Sequence, residues 1–178
     1  MDRDEVLLKH KSLLGVLSNL PKKMLSVHDL TDNLAELVLC DLCNEESFDI
    51  KRAAFFVDNP DFNILKGVAG FFKTEGHKSW SPEWDNHEEI TVIMKRSPFN
   101  QKVKHFTSNS PKKNNHSLNE IVSQIAKEFE IPAYSFISLG LKHGNHGLFV
   151  YENNRPEADL INHHLADILH VLGFCQIY

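Results

Sequence analysis

The sequence predicts an α+β fold in which an antiparallel sheet is covered on both faces. Two stretches carry that reading. From Ala133 onward, Tyr134, Phe136 and Ser138 alternate with Ser135, Ile137 and Leu139; Lys142-His143-Gly144-Asn145-His146-Gly147 then breaks the run, and Leu148-Phe149-Val150-Tyr151 resumes it. That is the pattern of a β-hairpin. Both faces of its strands are largely apolar, so neither can sit in water, and the pair is expected at the centre of the sheet. An earlier stretch repeats the arrangement: Arg52-Ala53-Ala54-Phe55-Phe56-Val57, the turn Asp58-Asn59-Pro60-Asp61, then Phe62 to Phe72.

The helices follow from apolar spacing and from their end signals. Val6, Leu7, Leu13, Leu14, Leu17 and Leu20 fall mostly on one stripe of a helix from about Asp4, which Pro21 is expected to end. Ser26 and Asp29 resemble a capping box opening a second helix over Leu30, Leu34, Leu37, Val38 and Leu42. After the first hairpin, Lys73 to Glu88 is a polar loop holding His77, Trp80, Trp84 and His87, and Ile90 to Met94 reads as a third strand region. Ser97-Pro98 supplies a cap and first position for a short helix through Phe99, Val103 and Phe106. Thr107 to Asn115 is a polar loop, and Ser117 with Glu120 then opens a helix on Leu118, Ile121, Ile125 and Phe129 that Pro132 stops. Beyond the second hairpin, Pro156 begins a closing helix whose apolar face is Ile161, Leu165, Ile168 and Leu172, ending at Gly173.

Composition narrows the function. A chain of 178 residues, 42% of them hydrophobic, can bury one real core and is short for two domains. The net charge of −5 lacks the basic excess that draws a surface to nucleic acid or anionic lipid, so neither is expected as a partner. No apolar run approaches the roughly 18 residues of a membrane span, and Met1 to Glu5 is unlike a signal peptide, so a cytoplasmic location is expected. Three cysteines make a poor disulfide scaffold, and reduced thiols are expected.

In this order of elements the chain resembles the GAF family of small sensory domains. The residues that carry the resemblance are the amphipathic helix Leu30 to Leu42 leading into Arg52 to Pro60, the segment Leu65-Lys66-Gly67-Val68-Ala69-Gly70, and Gly147 to Tyr151 feeding the closing helix. It covers residues 27–178 as a GAF-like domain and leaves 1–26 as an N-terminal helical extension. The resemblance implies a central antiparallel sheet with N- and C-terminal helices on one face and loops and short helices over the other, where a ligand pocket would lie. Such domains bind cyclic nucleotides, bilins, haem or other small molecules, or act without ligand as dimerisation and relay parts. Two enzymatic or nucleotide-binding branches are not matched. Cys40, Cys43 and Cys175 fall on terminal helices rather than around a pocket, unlike the free methionine sulfoxide reductases, and the Asn-Lys-Phe-Asp-Glu pattern of the phosphodiesterase branch is missing.

The resulting expectation is a non-enzymatic regulatory module acting through small-molecule binding or dimerisation, with no cofactor assigned. Its candidate ligand-binding residues are Trp80, Trp84, His87, Phe99, Phe106 and Tyr134, which combine apolar walls with a few polar tips. A tryptophan in a long loop equally serves to pin that loop to the core. One alternative is a redox or metal-dependent protein using Cys40 and Cys43 or a cluster of His143, His146 and His163. Against it, cysteine at a helix end is commonly a small buried hydrophobe, and histidine on a turn is commonly solvated. A further alternative is a ligand-free structural domain whose pocket is filled by Phe99, Phe106 and the tryptophans. The apolar stripe of the first helix must be buried, either beside the closing helix or against a second copy; a homodimer through the terminal helices is expected, because a stripe fed by both is self-complementary.

Overall fold

The computed structural model describes residues 3–27, 33–45, 47–75, 87–152 and 158–175. Among these, α1 (Arg3–Val27) and α2 (Leu34–Cys43) precede β1 (Arg52–Asn59) and β2 (Ile64–Phe72). Two further helices, α3 (His87–Arg96) and α4 (Pro98–His105), lead to the two-residue β3 (Thr107–Ser108) and to α5 (Leu118–Glu128). The chain closes with β4 (Tyr134–Gly140), β5 (His146–Glu152) and α6 (Ala158–Leu169), the last followed by a 3-10 turn from His170 to Phe174. The five strands form one antiparallel sheet in the order β3-β2-β1-β5-β4, so the fold is α+β as expected.

Strand alternation divides the core into two layers. Ala53, Phe55, Val57, Phe149 and Tyr151 turn to one face, where they pack with α1, α2, α3 and α6. Ala54, Phe56, Leu148 and Val150 turn to the other, against α4 and α5. A bulge between Phe55 and Phe56 shifts the β1–β2 register, Phe55 opposing Ala69 and Phe56 opposing Gly67.

Four expectations are corrected. Pro21 does not end the first helix, which continues to Val27. Leu20 and Met24, buried on either side of the exposed proline, hold the helix together, and their burial offsets the roughly 3 kcal/mol that an interior proline costs. Ser26 therefore lies inside that helix, its hydroxyl donating to the Lys23 carbonyl at 2.7 Å, while α2 begins after Asn33. Residues 28–32, including Asp29 and Leu30, lie outside the described residues, as do 76–86 and 153–157.

Ile90 to Met94 is helical, not a strand. Only Ile90 and Met94 of this run are buried, one turn apart, and Glu88 and Glu89 open the helix while Lys95 and Arg96 close it, matching charge to the helix dipole. The last correction concerns β4, which is an edge strand, not a central one. Tyr134 is 41% exposed and Phe136 only partly buried, whereas Phe55, Leu148 and Val150 on β1 and β5 are buried.

The outer edge of β2 is closed by a helix in place of a full-length strand. Ser97 caps α4 as the sequence indicates, accepting from the Asn100 N–H at 3.0 Å with Pro98 at the first position. One turn on, the Asn100 side chain takes the place of a neighbouring strand: Oδ1 accepts from Gly70 N at 2.9 Å, and Nδ2 donates to the Met94 carbonyl and to Glu36 Oε1. The helix reaches this position because Gly67 and Gly70 have no side chains. A Cβ on Gly67 would overlap the Val103 carbonyl oxygen, and one on Gly70 would lie 2.6 Å from Val103 Cγ2.

Three substitutions test this packing. Gly67→Ala presses on backbone and is expected to cost about 3 kcal/mol, more than Gly70→Ala, which presses on a side chain. Asn100→Leu strands the Gly70 N–H and the Met94 carbonyl and is expected to cost a similar amount, about 3 kcal/mol. Urea unfolding measures all three; a Gly67→Ala protein as stable as wild type would mean that α4 does not press on β2.

Candidate functional site

A cleft of about 380 Å³ opens on the α4–α5 face, where α4 ends and β3 begins. Its position follows from local structure. At the end of α4 the Phe106 N–H bonds to the Val103 carbonyl, while the Phe106 carbonyl accepts from Gly67 N at 3.0 Å and turns the chain into β3. Thr107 and Ser108 pair with Lys66 and Leu65, and the ladder stops there. Opposite, α5 is strongly amphipathic, burying Val122, Ile125 and Ala126. Its shoulder, Ile121 and Ile125, joins Leu65 and Phe106 as an apolar floor, and Thr107, Ser108, Gln124 and Glu128 supply a polar rim. His105 completes the rim; its Nδ1–H donates to the Gln101 carbonyl at 2.7 Å, which fixes the ring and leaves Nε2 as the second nitrogen.

Behind the floor the space is filled. Phe56 lies 5.4 Å from Phe106 and 5.7 Å from Phe129, centroid to centroid, and Phe129 lies 6.0 Å from Phe99. These edge and tilted contacts are the favoured aromatic geometries. Ligand space on this face is therefore confined to the rim.

The candidate residues are distributed as follows. Phe99 and Phe106 share the aromatic cluster, and among the described residues of the set Phe106 alone lines the cleft. His87 begins α3, its carbonyl accepting from Thr91 Oγ1 at 2.7 Å, on a helix whose buried residues belong to the opposite layer. Tyr134 stands exposed at the start of the edge strand. Trp80 and Trp84 lie outside the described residues. Gln124, Glu128, Thr107 and Ser108 were not singled out from sequence, because the polar face of an amphipathic helix reads as solvent-facing until a strand is known to lie beside it.

The thiols of the alternative reading are embedded in the core. Cys40 and Cys43 are buried on α2, and Cys175 is 7% exposed. Burial pushes all three thiols up: Cys40 and Cys43 well beyond the usual range, with neighbouring acidic groups adding to the effect at Cys40, and Cys175 to about 12. Of the histidines, His163 is exposed on α6, 3.8 Å from Asp167, whereas His146 contacts Lys112 Nζ through Nε2. Among the described residues no three His, Cys, Asp or Glu side chains come together as metal ligands, and no helix is long and apolar enough to cross a membrane.

No protein-family model, curated protein or solved structure matches the chain.

The buried thiols give a pH prediction. Their folded pKa values are raised above an unfolded value near 9, so the stability they contribute is complete below pH 9 and is lost as the pH rises toward 12. Above pH 9 each thiol steepens that loss by up to about 1.4 kcal/mol per pH unit. Under reducing conditions, urea titrations at pH 8 and pH 10 are expected to separate more for wild type than for the Cys40→Ala, Cys43→Ala, Cys175→Ala variant. Equal pH dependence in the two proteins would contradict the burial of the thiols.

Proposed function

We propose that the chain is a GAF-like, non-enzymatic regulatory module of the cytoplasm that binds a small molecule in the α4–β3–α5 cleft. One observation carries the reading: the cleft gathers the hydrogen-bonding side chains of Thr107, Ser108, Gln124 and Glu128 around a small apolar floor, on the face bearing short helices. Its volume of about 380 Å³ lies within the range of such sites. The arrangement of α1, α2 and α6 on the other face accords with the GAF-like domain at residues 27–178 and its helical extension. Fold analogy alone does not name a ligand. A second reading, a ligand-free interaction domain, is favoured by the phenylalanine cluster of Phe56, Phe99, Phe106 and Phe129, which already fills the interior of that face.

The two readings separate experimentally. Native mass spectrometry of the purified protein, then titration with cyclic nucleotides and haemin followed by amide resonances, is expected to reveal binding that perturbs Thr107, Ser108 and Gln124. Ile121→Trp fills the cleft and is expected to abolish the response while leaving the fold intact. Binding that survives Ile121→Trp would place the ligand outside the cleft, and the absence of both a co-purifying molecule and any titration response would favour the ligand-free domain.

Self-association through the terminal helices is proposed as the second half of the function. Much of the α1 stripe packs within the chain, with Leu13, Leu20, Met24 and Val27 buried in the core layer that α1 shares with α2. Among the described residues, Leu8, Leu14 and Leu25 of this helix stay exposed, at 69%, 49% and 80%; Leu14 and Leu25 are eleven residues apart, which places these two on one side of the helix three turns distant and available to a partner. Analytical ultracentrifugation is expected to show a dimer that Leu14→Glu with Leu25→Glu converts to a folded monomer. A wild-type monomer at the highest soluble concentration would exclude the dimer.

A further inference from the structure

One row of residues crosses the whole sheet on the face that bears α4 and α5. Ser108, Leu65, Asp58, His146 and Gly140 oppose one another in turn from β3 to β4, so they share that face. Ser108 and Leu65 line the cleft, and Asp58 and His146 continue the row beyond it. Asp58 is 4% exposed. Its Oδ2 accepts from the Lys112 N–H at 3.4 Å, and among the described residues its Oδ1 has no hydrogen-bond partner. A desolvated carboxylate held by so little is costly, and a donor placed beside it would remove that cost.

The cross-strand neighbour is that donor in only one of its protonation states. His146 Nε2 contacts the Lys112 ammonium. An ammonium only donates, so Nε2 is the acceptor and the imidazole in this contact is neutral. Lys112 belongs to the segment between β3 and α5, in which Ser110 and Pro111 are buried and residues 112–116 are exposed. Those five residues are tied to the sheet by the Lys112 contacts and by Asn114 Nδ2, which donates to Asn63 Oδ1 at 2.9 Å. Other charges around His146 are few. From β4 it is opposed by Gly140, and Lys142 and His143 of its own hairpin line a pocket on the opposite face. Glu120, in the first turn of α5, and Asp61, in the β1–β2 turn, are exposed and pair with neither His146 nor Lys112; Lys113 and His116 of the segment are exposed as well.

We infer that Asp58, His146 and Lys112 form an acid-sensitive latch that holds residues 112–116 against the sheet. With His146 neutral, Lys112 donates to Nε2 and the segment is held. A proton taken from solvent onto Nε2 removes the acceptor and sets two cations against each other, while the new N–H lies across one strand pair from the unbonded oxygen of Asp58. His146 then turns to Asp58, Lys112 is released, and residues 112–116 lose a tie. Histidine is the side chain that ordinarily changes charge between about pH 5 and 8, so the exchange falls within the range in which carboxylates stay ionised. The latch operates whether or not the cleft holds a ligand, and it acts next to the cleft because Ser108 lies four residues before Lys112.

Amide hydrogen exchange, expressed as protection factors at pH 7.5 and pH 5.5, reads the latch directly, since every backbone N–H from Lys112 to His116 is hydrogen-bonded. Acidification is expected to lower protection over residues 112–116 about tenfold, the loss of one charge-assisted hydrogen bond, and to leave β1 and β5 unchanged. Ring-nitrogen resonances of His146 are expected to show Nε2 bare at pH 7.5 and protonated at pH 5.5, with the Asp58 carboxyl carbon moving at the same midpoint. His146→Gln, an acceptor at both pH values, is expected to abolish the acid response, and Lys112→Met to leave the segment loosened at both. His116→Gln is expected to respond as wild type does. The inference falls if wild-type protection is the same at the two pH values, if the response survives His146→Gln, or if Nε2 carries the proton at pH 7.5.

Discussion

The architecture depends on how closely α4 approaches the outer edge of β2. That edge presents backbone donors that must be bonded, and an unpaired strand edge invites association with another chain. Here Asn100 bonds Gly70, Phe106 bonds Gly67, and β3 pairs with Leu65 and Lys66. Gly67 and Gly70 permit this, since any side chain at either position would meet Val103. A helix therefore closes most of the edge and a two-residue strand the rest. The candidate cleft lies at the point where one gives way to the other.

The same contact joins the two helical layers. Glu36, on α2, is 2% exposed, and its Oε1 accepts from Asn100 Nδ2 at 2.7 Å and from Lys104 Nζ at 3.1 Å. Since α2 packs on one face of the sheet and α4 on the other, these bonds pass around the β2 edge. Lys104 is half exposed, so its Coulombic contribution is screened. The buried hydrogen bond from Asn100 is the stronger tie, because losing it leaves a carboxylate desolvated. Ser97 extends the network, donating to Glu75 Oε2 at 2.6 Å, and the same oxygen accepts from Phe99 N. The start of α4 is thus fixed by side chains from α2 and from the segment after β2. A displacement of α4 that widened the cleft would have to strain bonds reaching into the opposite layer.

How much of this the sequence showed depends on which physical signal each element carries. The β1–β2 hairpin, β5, and the starts of α4 and α5 were legible because strand alternation, turn residues and caps act locally. At Ser117 the position was legible but the bond was not, since its side chain makes no capping hydrogen bond. The place of β4 in the sheet was misread for a definite reason. Apolarity on both faces reports that both faces are covered, here with Ile137 packing on one layer and Phe136 on the other. It does not report which edges are hydrogen-bonded. In α3 a five-residue apolar run was too short to distinguish alternation from a helical stripe, and Thr91, Val92 and Ile93 favoured the strand reading through their β-branching. Among the described residues of the candidate ligand set, only Phe106 lines the cleft, because the polar rim residues lack any local signature and converge only where β3 and α5 come together.

The aromatic cluster limits how the α4–α5 face can hold a ligand. Phe56, on the sheet, and Phe99, Phe106 and Phe129, around it, occupy the interior that a deep pocket would need. Opening such a pocket would separate close aromatic contacts and expose part of four large side chains, three of them no more than 7% exposed. A ligand gains more by staying at the rim. There the half-buried Ile121 and the edge of Phe106 offer apolar surface without displacing the cluster, and the hydroxyls of Thr107 and Ser108 and the side chains of Gln124 and Glu128 offer hydrogen bonds. Phe106 is the one residue shared by cluster and cleft. A ligand pressing on its ring acts on the aromatic core and, through the Phe106 carbonyl bonded to Gly67, on the sheet edge where the two layers are joined.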